Sequence, residues 1–458
     1  MIAWLARTLY RAQEATLKRP TFGYWHELEH TQWLAREALE ALQARKLNAL
    51  LGVALAHSPW HAARIRAAGL EDAVRAGELC LADLPRLPTM NKRDARDNVD
   101  QLVWRGVPGG AYRYNTGGSS GEPLIFHFGR ARQASDAAGR MRARKWWGVA
   151  PGDREAYLWG APVELNKTDR IKTLRDRLVN QLVLNAFAMS VPRMDDYLAA
   201  LKTWQPKCLY GYASSVALLA AHAEARGIRA GWPALRVVCT TGEPLYPHQR
   251  ELISHVFRVP VANEFGSRDI GFTAHEAPGG QMLLLSESHI VEALDEAGQP
   301  VAPGEVGEAV VTGLTSAAQP FIRYRTGDVL RLSVDAAAGG QGLHVITEVS
   351  GRQTDLVLAA DGRVMHALAL IYVLRATPGI AQFKCVQHAV DRMEVQIVPD
   401  ARWTADAGAA VVTGLRARLG DTLQVDLRLL EEIPPEDSGK HRYVVSHVPL
   451  PQGLAITA

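Results

Sequence analysis

The chain is poor in cysteine. Its four residues, Cys80, Cys208, Cys239 and Cys385, are too scattered for a zinc cluster or a disulfide framework, and they fit a reduced compartment. No uninterrupted apolar run is long enough to span a bilayer. The opening Met1-Ile2-Ala3-Trp4-Leu5-Ala6-Arg7 carries no cleavable signal pattern. Charge of one sign is lacking too: a formal net charge of +3 over 458 residues argues for neither nucleic acid nor an anionic membrane surface as partner. There is no internal repeat and no low-complexity segment. These absences lead to the expectation of a cytoplasmic protein, long enough for a large core and more than one domain.

Glycine and hydroxyl side chains are concentrated in Thr116-Gly117-Gly118-Ser119-Ser120-Gly121-Glu122-Pro123. Glycine lets the backbone approach closely, and the N–H groups and hydroxyls donate hydrogen bonds, so such a loop can wrap nucleotide phosphates. It is not a Walker loop, because no Gly-Lys-Ser/Thr follows. The plain alternative is a flexible connection.

Residues 22–78 have the stripe of amphipathic helices, with Leu34, Ala38, Leu39, Leu42, Leu47, Leu50, Leu51 and Leu55 mostly at three- and four-residue steps. Pro59 divides the stretch into at least two helices. Leu84-Pro85-Arg86-Leu87-Pro88 reads as a turn-rich connector. From residue 112, β-rich pieces (Leu124 to Phe128, Leu235 to Cys239, Val259 to Phe265) alternate with helix-like stretches at 131–147, 214–226 and 247–257, which indicates α/β layering. Short runs and glycine turns over 282–332 read as a β-rich subdomain, including Val329 to Leu332. The tail reads strand, strand, helix, strand: Gln382 to Gln387, Met393 to Val398, 405–419, and Leu423 to Leu429. The expectation is a large α/β N-terminal domain over 1–350 and a small α+β C-terminal domain over 351–458. The first divides into a mostly helical 1–111, an α/β 112–281 and a β-rich 282–350.

Further motifs follow the 116–123 loop in order: Thr241-Gly242-Glu243-Pro244, Glu264-Phe265-Gly266-Ser267-Arg268-Asp269, Tyr324-Arg325-Thr326-Gly327-Asp328, Gly351-Arg352-Gln353-Thr354-Asp355 and Pro434-Pro435-Glu436-Asp437-Ser438-Gly439-Lys440. The set resembles the adenylate-forming enzymes, the superfamily of acyl-coenzyme A synthetases and peptide-synthetase adenylation domains. Within it the chain is most similar to the phenylacetate–coenzyme A ligase family. Gly266-Ser267-Arg268-Asp269-Ile270-Gly271 with Ala274-His275-Glu276 looks closest to the relatives found with capsular polysaccharide genes.

The resemblance implies ATP-dependent activation of a carboxylic acid as an acyl-adenylate, with pyrophosphate release, and then transfer to coenzyme A. It implies ATP, Mg²⁺ and coenzyme A as cofactors and a mobile C-terminal domain that rotates between the two half-reactions. Thr116, Ser119, Ser120 and the glycines Gly117, Gly118 and Gly121 would cradle phosphates. Glu243, Pro244, Glu264, Phe265, Gly266, Ser267 and Arg268 would line the nucleotide site. Asp328 would accept from both ribose hydroxyls, a role suited to two carboxylate oxygens; from spacing alone it is equally a turn aspartate. Arg352 would reach ribose or phosphate, and Lys440 would bridge the attacking carboxylate and the α-phosphate. Asp269 stands where the family usually carries a glutamate for magnesium, one methylene shorter; helix capping is its ordinary alternative. The hinge is expected at Gln353 and Thr354, the latter a departure from the family's usual charged residue.

The acyl pocket is expected at Trp159, Tyr212, Ala213, Ser214, Thr241 and Gly242, which suits an aryl or other compact acid. A basic run, Lys167, Arg170, Lys172, Arg175 and Arg177, either holds coenzyme A phosphates or a carrier protein, or is a solvated helix face. Two other functional readings stand beside the ligase. One keeps adenylation but passes the acyl group to an amine, a sugar or a carrier protein; the other is a nucleotide-binding relative without catalysis. Expected partners are a small-molecule carboxylic acid, with a carrier protein or a second copy in a homodimer as further candidates; neither nucleic acid nor a membrane span is expected.

Overall fold

A computed structural model describes residues 2–115, 124–159, 167–186, 189, 191–228, 232–302, 304–352, 356–361, 364–366, 368–434 and 442–448. The chain divides into two compact units, Met1–Thr326 with Leu330–Val349, and Gly327–Val329 with Ser350–Ala458.

The first unit opens with helices α1 (Ala3–Thr16), α2 (Thr21–Thr31), α3 (Arg36–His57), α4 (Pro59–Ala67) and α5 (Glu71–Ala76). In α3, Leu39, Leu47, Leu50, Leu51 and Ala54 are buried, the one-sided pattern of a helix laid on a core. The break expected at Pro59 is present: Ser58 is extended, as a residue before proline prefers, and Pro59 opens α4. The expected connector contains instead a 3₁₀ helix, Leu81–Arg86, whose entry is fixed by Cys80 N–H donating to the Asp83 carboxylate at 3.1 Å. Two short helices, α6 (Lys92–Asp97) and α7 (Val99–Leu102), lead to a hairpin of β1 (Tyr112–Asn115) and β2 (Ile125–Phe128).

An eleven-stranded sheet forms the centre. Its strands are β3 (Glu155–Trp159), β4 (Gln181–Asn185), β5 (Cys208–Tyr212), β6 (Val237–Thr241), β7 (Val261–Ser267), β8 (Gly271–Glu276), β9 (Met282–Leu284), β10 (His289–Leu294), β11 (Val306–Gly313), β12 (Tyr324–Leu332) and β13 (Val345–Arg352). Their order is β10-β11-β12-β13-β9-β8-β7-β6-β5-β3-β4. The block β4-β3-β5-β6-β7 is parallel. From β7 onward the pairs β7/β8, β8/β9, β9/β13 and β10/β11 are antiparallel.

Helix α8 (Arg130–Trp146) leads from the hairpin into β3; parallel strands need crossovers, and α9 (Lys167–Leu178), α10 (Val191–Trp204), α11 (Ala213–Ala225) and α12 (Pro247–Phe257) supply them. β5 and β6 are buried along their whole length, as strands covered on both faces must be. Leu158, Leu209, Leu219, Val238, Ile253 and Phe257 share one core. In α8, Gly139 permits a close approach to β8: an added Cβ would stand 2.7 Å from the Phe272 ring.

The second unit holds β14 (Leu356–Leu358), β15 (Val364–His366), α13 (Leu368–Ala376), β16 (Ile380–Ala389), β17 (Arg392–Pro399), α14 (Ala405–Leu419), β18 (Gln424–Leu429) and β19 (Val444–Ser446). Four strands form a sheet in the order β18-β17-β16-β19. A hydroxyl cap starts α14, with Thr404 Oγ1 accepting from Ala407 N–H at 3.2 Å. A Cβ on Gly414 would meet Val373 at 2.5 Å, so α13 and α14 pack closely there. The architecture is therefore a large layered α/β unit with a β-rich part, and a small α+β unit.

Candidate active site

Parallel α/β sheets present ligand sites at the carboxyl ends of their strands. Adjacent strands β3, β5, β6 and β7 end at Trp159, Tyr212, Thr241 and Ser267, so four of the sequence-selected segments reach one edge of the sheet. Trp159 stacks on Tyr212, with ring centroids 4.4 Å apart and planes 19° from parallel. Burial pushes the pKa of the Tyr212 phenol up, and the charge of Arg268 opposes the shift. Glu243 Oε2 accepts from Ser214 N–H at 2.9 Å, so its carboxylate caps the first turn of α11, which begins at Ala213. Gly242, between Thr241 and Glu243, has φ +76°, a conformation that favours glycine.

Asp269 lies in the turn between β7 and β8, so no helix follows for it to cap. Ser267 Oγ donates to one of its oxygens and Tyr324 Oη donates to the other at 2.9 Å. Arg132, buried on α8, pins the turn from beneath: it donates to the carbonyls of Arg268 at 2.6 Å and Asp269 at 2.5 Å. Asp136, one turn along α8, accepts from Phe272 N–H at 3.1 Å. An added Cβ on Gly271, φ +92°, would lie 2.5 Å from the Asp136 carboxylate.

Glu264 and Phe265 turn inward. Phe265 packs with Ala274, Leu284 and Ile346. The Glu264 carboxylate accepts from Arg140 Nη2 at 3.1 Å, Tyr210 Oη at 3.0 Å and Thr241 Oγ1 at 3.2 Å. Burial alone would raise its pKa; Arg140 above all outweighs that, and the net shift is downward. Gly266 follows with a backbone squeezed against Gly271 O, 2.3 Å from an ideal Cβ.

Asp328 is buried on β12, just after Gly327 at φ +75°. The alternative reading of Asp328 as a turn aspartate does not hold, because it is a strand residue. Arg352 ends β13. Thr116, Gly117, Gly118, Ser119, Ser120, Gly121, Gln353, Thr354 and Lys440 lie outside the described residues. Among the described residues no three His, Cys, Asp or Glu side chains gather as a metal site. Asp269 and Glu243 both offer half-buried carboxylates at this edge; Glu243 is engaged by Ser214 N–H, and Asp269 is a donor suited to a magnesium ion held mainly by substrate phosphates and water.

Residues not singled out from sequence carry much of the support: Arg132, Asp136 and Arg140. The available signal was a helix over 130–146 with arginines at 132, 140, 142 and 144, and Arg132, Arg142 and Arg144 prove buried. A buried arginine implies a buried acceptor.

The two-unit architecture is the fold of the solved adenylate-forming ligases. 2-Hydroxyisobutyryl-CoA ligase, solved in the postadenylation state in complex with R3-HIB-AMP, superposes with a TM-score of 0.71 at 19% identity over 91% of each chain. The chain is related in sequence to phenylacetate–coenzyme A ligases and to CapK, and its kinship with the former makes it an enzyme of the ligase class. Phenylacetate-coenzyme A ligase of Thermus thermophilus is 24% identical over 92% of this chain and 99% of its own length. Protein CapK of Staphylococcus aureus is 22% identical over 81% of this chain and 82% of its own. Residues 357–447 match the family model of the CapK C-terminal domain.

Proposed function

We propose that the protein activates a carboxylic acid with ATP and transfers the resulting acyl group to coenzyme A. A carboxylate oxygen attacks the α-phosphorus, the bond to the β-phosphate oxygen breaks, and pyrophosphate leaves. The coenzyme A thiol then attacks the acyl carbon, AMP leaves with the bonding electrons, and the thiol proton passes to solvent. The observation that carries the reading is the convergence of Trp159, Tyr212, Glu243 and Asp269 on one carboxyl edge, next to the hairpin that flanks the 116–123 loop.

In this reading Thr116, Ser119 and Ser120 donate to phosphate, and Asp328 takes the ribose hydroxyls. Asp269 would hold a magnesium ion, which lowers the charge repulsion around the phosphorus when bound. Ser267, Tyr324 and Arg132 orient that carboxylate by the hydrogen bonds described above. Lys440 would neutralise charge building between carboxylate and α-phosphate, with Gln353 and Thr354 as the pivot that moves it and Arg352 beside the nucleotide. The Trp159–Tyr212 stack supports an aryl or other compact acid, because a flat rigid wall favours a flat substrate. A second reading keeps the adenylation step and passes the acyl group to an amine, a sugar or a carrier protein. Acid-dependent exchange of pyrophosphate into ATP over a panel of acids, with AMP release measured with and without coenzyme A, separates the two. Exchange without coenzyme A-dependent AMP release selects the second, and no exchange with any acid rejects both.

A further inference from the structure

The turn that carries Asp269 is held by its backbone as well as by its side chain. Three consecutive carbonyls, those of Arg268, Asp269 and Ile270, accept from buried side chains. Arg132 of α8 serves the first two, and His289 Nε2 reaches Ile270 O at 2.9 Å. His289 opens β10 and is 3% exposed. A carbonyl only accepts, so the ring proton sits on Nε2 and Nδ1 is bare. Burial above all, with Arg132 adding to it, pushes the pKa of the ring down, so the imidazole is neutral.

The Ile270–Gly271 peptide is the weak joint of the turn. Gly271 has φ +92°, and a glycine there lets the peptide unit rotate at little steric cost. His289 holds the carbonyl of that peptide unit. The histidine is itself fixed: its N–H donates to Leu285 O at 3.0 Å, and its carbonyl accepts from Gln43 Nε2 of α3 at 3.0 Å. Gln43 also donates to Ser286 O at 2.8 Å, the hydroxyls of Ser135 and Ser288 meet at 2.7 Å, and Glu287 pairs with Arg142 at 2.6 Å. The 285–289 segment is therefore tied both to α3 and to α8, the helix that supplies Arg132. Among the described residues the buried Nδ1 of His289 has no hydrogen-bond partner. Such an orphan costs folding free energy, which an apolar side chain would avoid. Packing alone thus does not account for an imidazole here; the bond from Nε2 does.

We propose that His289 is a positioning residue for the Asp269 carboxylate: its Nε2–H fixes the Ile270 end of the turn as Arg132 fixes the Arg268 end, and the two together aim Asp269 at the metal. The inference rests on the reading of Asp269 as the magnesium donor. His289→Leu removes the donor, and His289→Gln returns an N–H near the same place. Two measurements on the full chain test the role: hydrogen exchange of the segment 265–275 by mass spectrometry without nucleotide, and calorimetry of ATP binding with magnesium and with EDTA. His289→Leu should exchange faster in that segment and lose roughly threefold to tenfold of the affinity that magnesium adds, the scale of one hydrogen bond, while its affinity in EDTA stays at the wild-type value. Its urea midpoint should move little, because the substitution removes one orphan nitrogen and creates one orphan carbonyl. His289→Gln should recover most of both effects. Wild-type exchange in the segment, or an undiminished magnesium effect in His289→Leu, overturns the positioning role and leaves the reading of Asp269 standing. Equal loss of affinity with magnesium and with EDTA also overturns it, since that is the mark of a merely structural residue. A wild type whose ATP affinity ignores magnesium overturns the reading of Asp269 and this role with it.

Discussion

Tyr324 donates its phenolic hydrogen to Asp269 across 55 residues of sequence, at 2.9 Å. This contact joins the Glu264–Asp269 motif to the Tyr324–Asp328 motif and orients the carboxylate proposed to meet magnesium. Tyr324→Phe keeps the ring and removes the donor. It should cost about 1–2 kcal/mol of stability, since the bond is to a charged acceptor. The pyrophosphate-exchange rate should fall with little change in the KM for the acid. A variant with wild-type exchange at all magnesium concentrations would detach Tyr324 from the site.

Arg140 holds the buried Glu264 carboxylate ionised. Arg140→Met should destabilise the protein by about 3 kcal/mol at neutral pH, because it leaves a buried charge without its cation. The sign with pH follows from linkage. Glu264 has a depressed pKa in the wild type, so its stabilisation is present above the ordinary glutamate value and is lost as pH falls through the folded value. In the variant, burial acts unopposed and raises that pKa. The stability gap should therefore be widest at neutral pH and narrow below about pH 4.5. A gap independent of pH in urea melts contradicts the assignment.

His61 is a buried neutral histidine whose pKa is pushed down to about 3, by burial first and Arg64 second. Its Nε2 lies 2.8 Å from Pro320 O and its Nδ1 2.8 Å from Arg64 Nη1, which fixes the tautomer with the proton on Nε2. Below the ordinary histidine pKa near 6.5 the unfolded chain takes up a proton that the folded chain refuses, so stability drains away as pH falls from about 6.5 toward 3. Between pH 7 and pH 5, His61→Gln should lose about 2 kcal/mol less than the wild type, measured by urea midpoints. Equal losses would show that His61 is already protonated in the fold.

Trp159→Ala removes half of the stacked wall against Tyr212. It should lower kcat/KM for an aryl acid by roughly threefold to tenfold relative to a small aliphatic acid, the value of one aromatic pair. Uniform loss across the acid panel would place Trp159 in the core alone.

Sequence patterning located the elements that are long and one-sided. The helices at α8, α11, α12 and α14 begin and end within about a residue or two of where periodicity put them, because their buried stripes repeat at 3.6 residues. The strand β12 was legible only at its apolar end, Val329 to Leu332, yet it begins at Tyr324. Thr326 and Gly327 look like a turn locally, and Gly327 does take a positive φ of +75°, yet the strand runs through them. β6 also runs two residues beyond its apolar core, because Thr240 and Thr241 are buried through their hydrogen bonds to Asn263 and Glu264. The polar support was the least legible part. Arg140 meets Glu264 only after α8 has folded onto a sheet 124 residues further on, and no local pattern marks which arginine of that helix faces inward.

The central claim is adenylation assisted by Lys440, and the most direct measurement is acid-dependent ATP–pyrophosphate exchange in the wild type and in Lys440→Ala. The wild type should exchange with at least one compact acid. Lys440→Ala should slow that exchange roughly a hundredfold or more, the scale of a lost transition-state charge contact, while acyl transfer from supplied acyl-adenylate persists. Equal rates in the two proteins, or equal loss in both half-reactions, would contradict it.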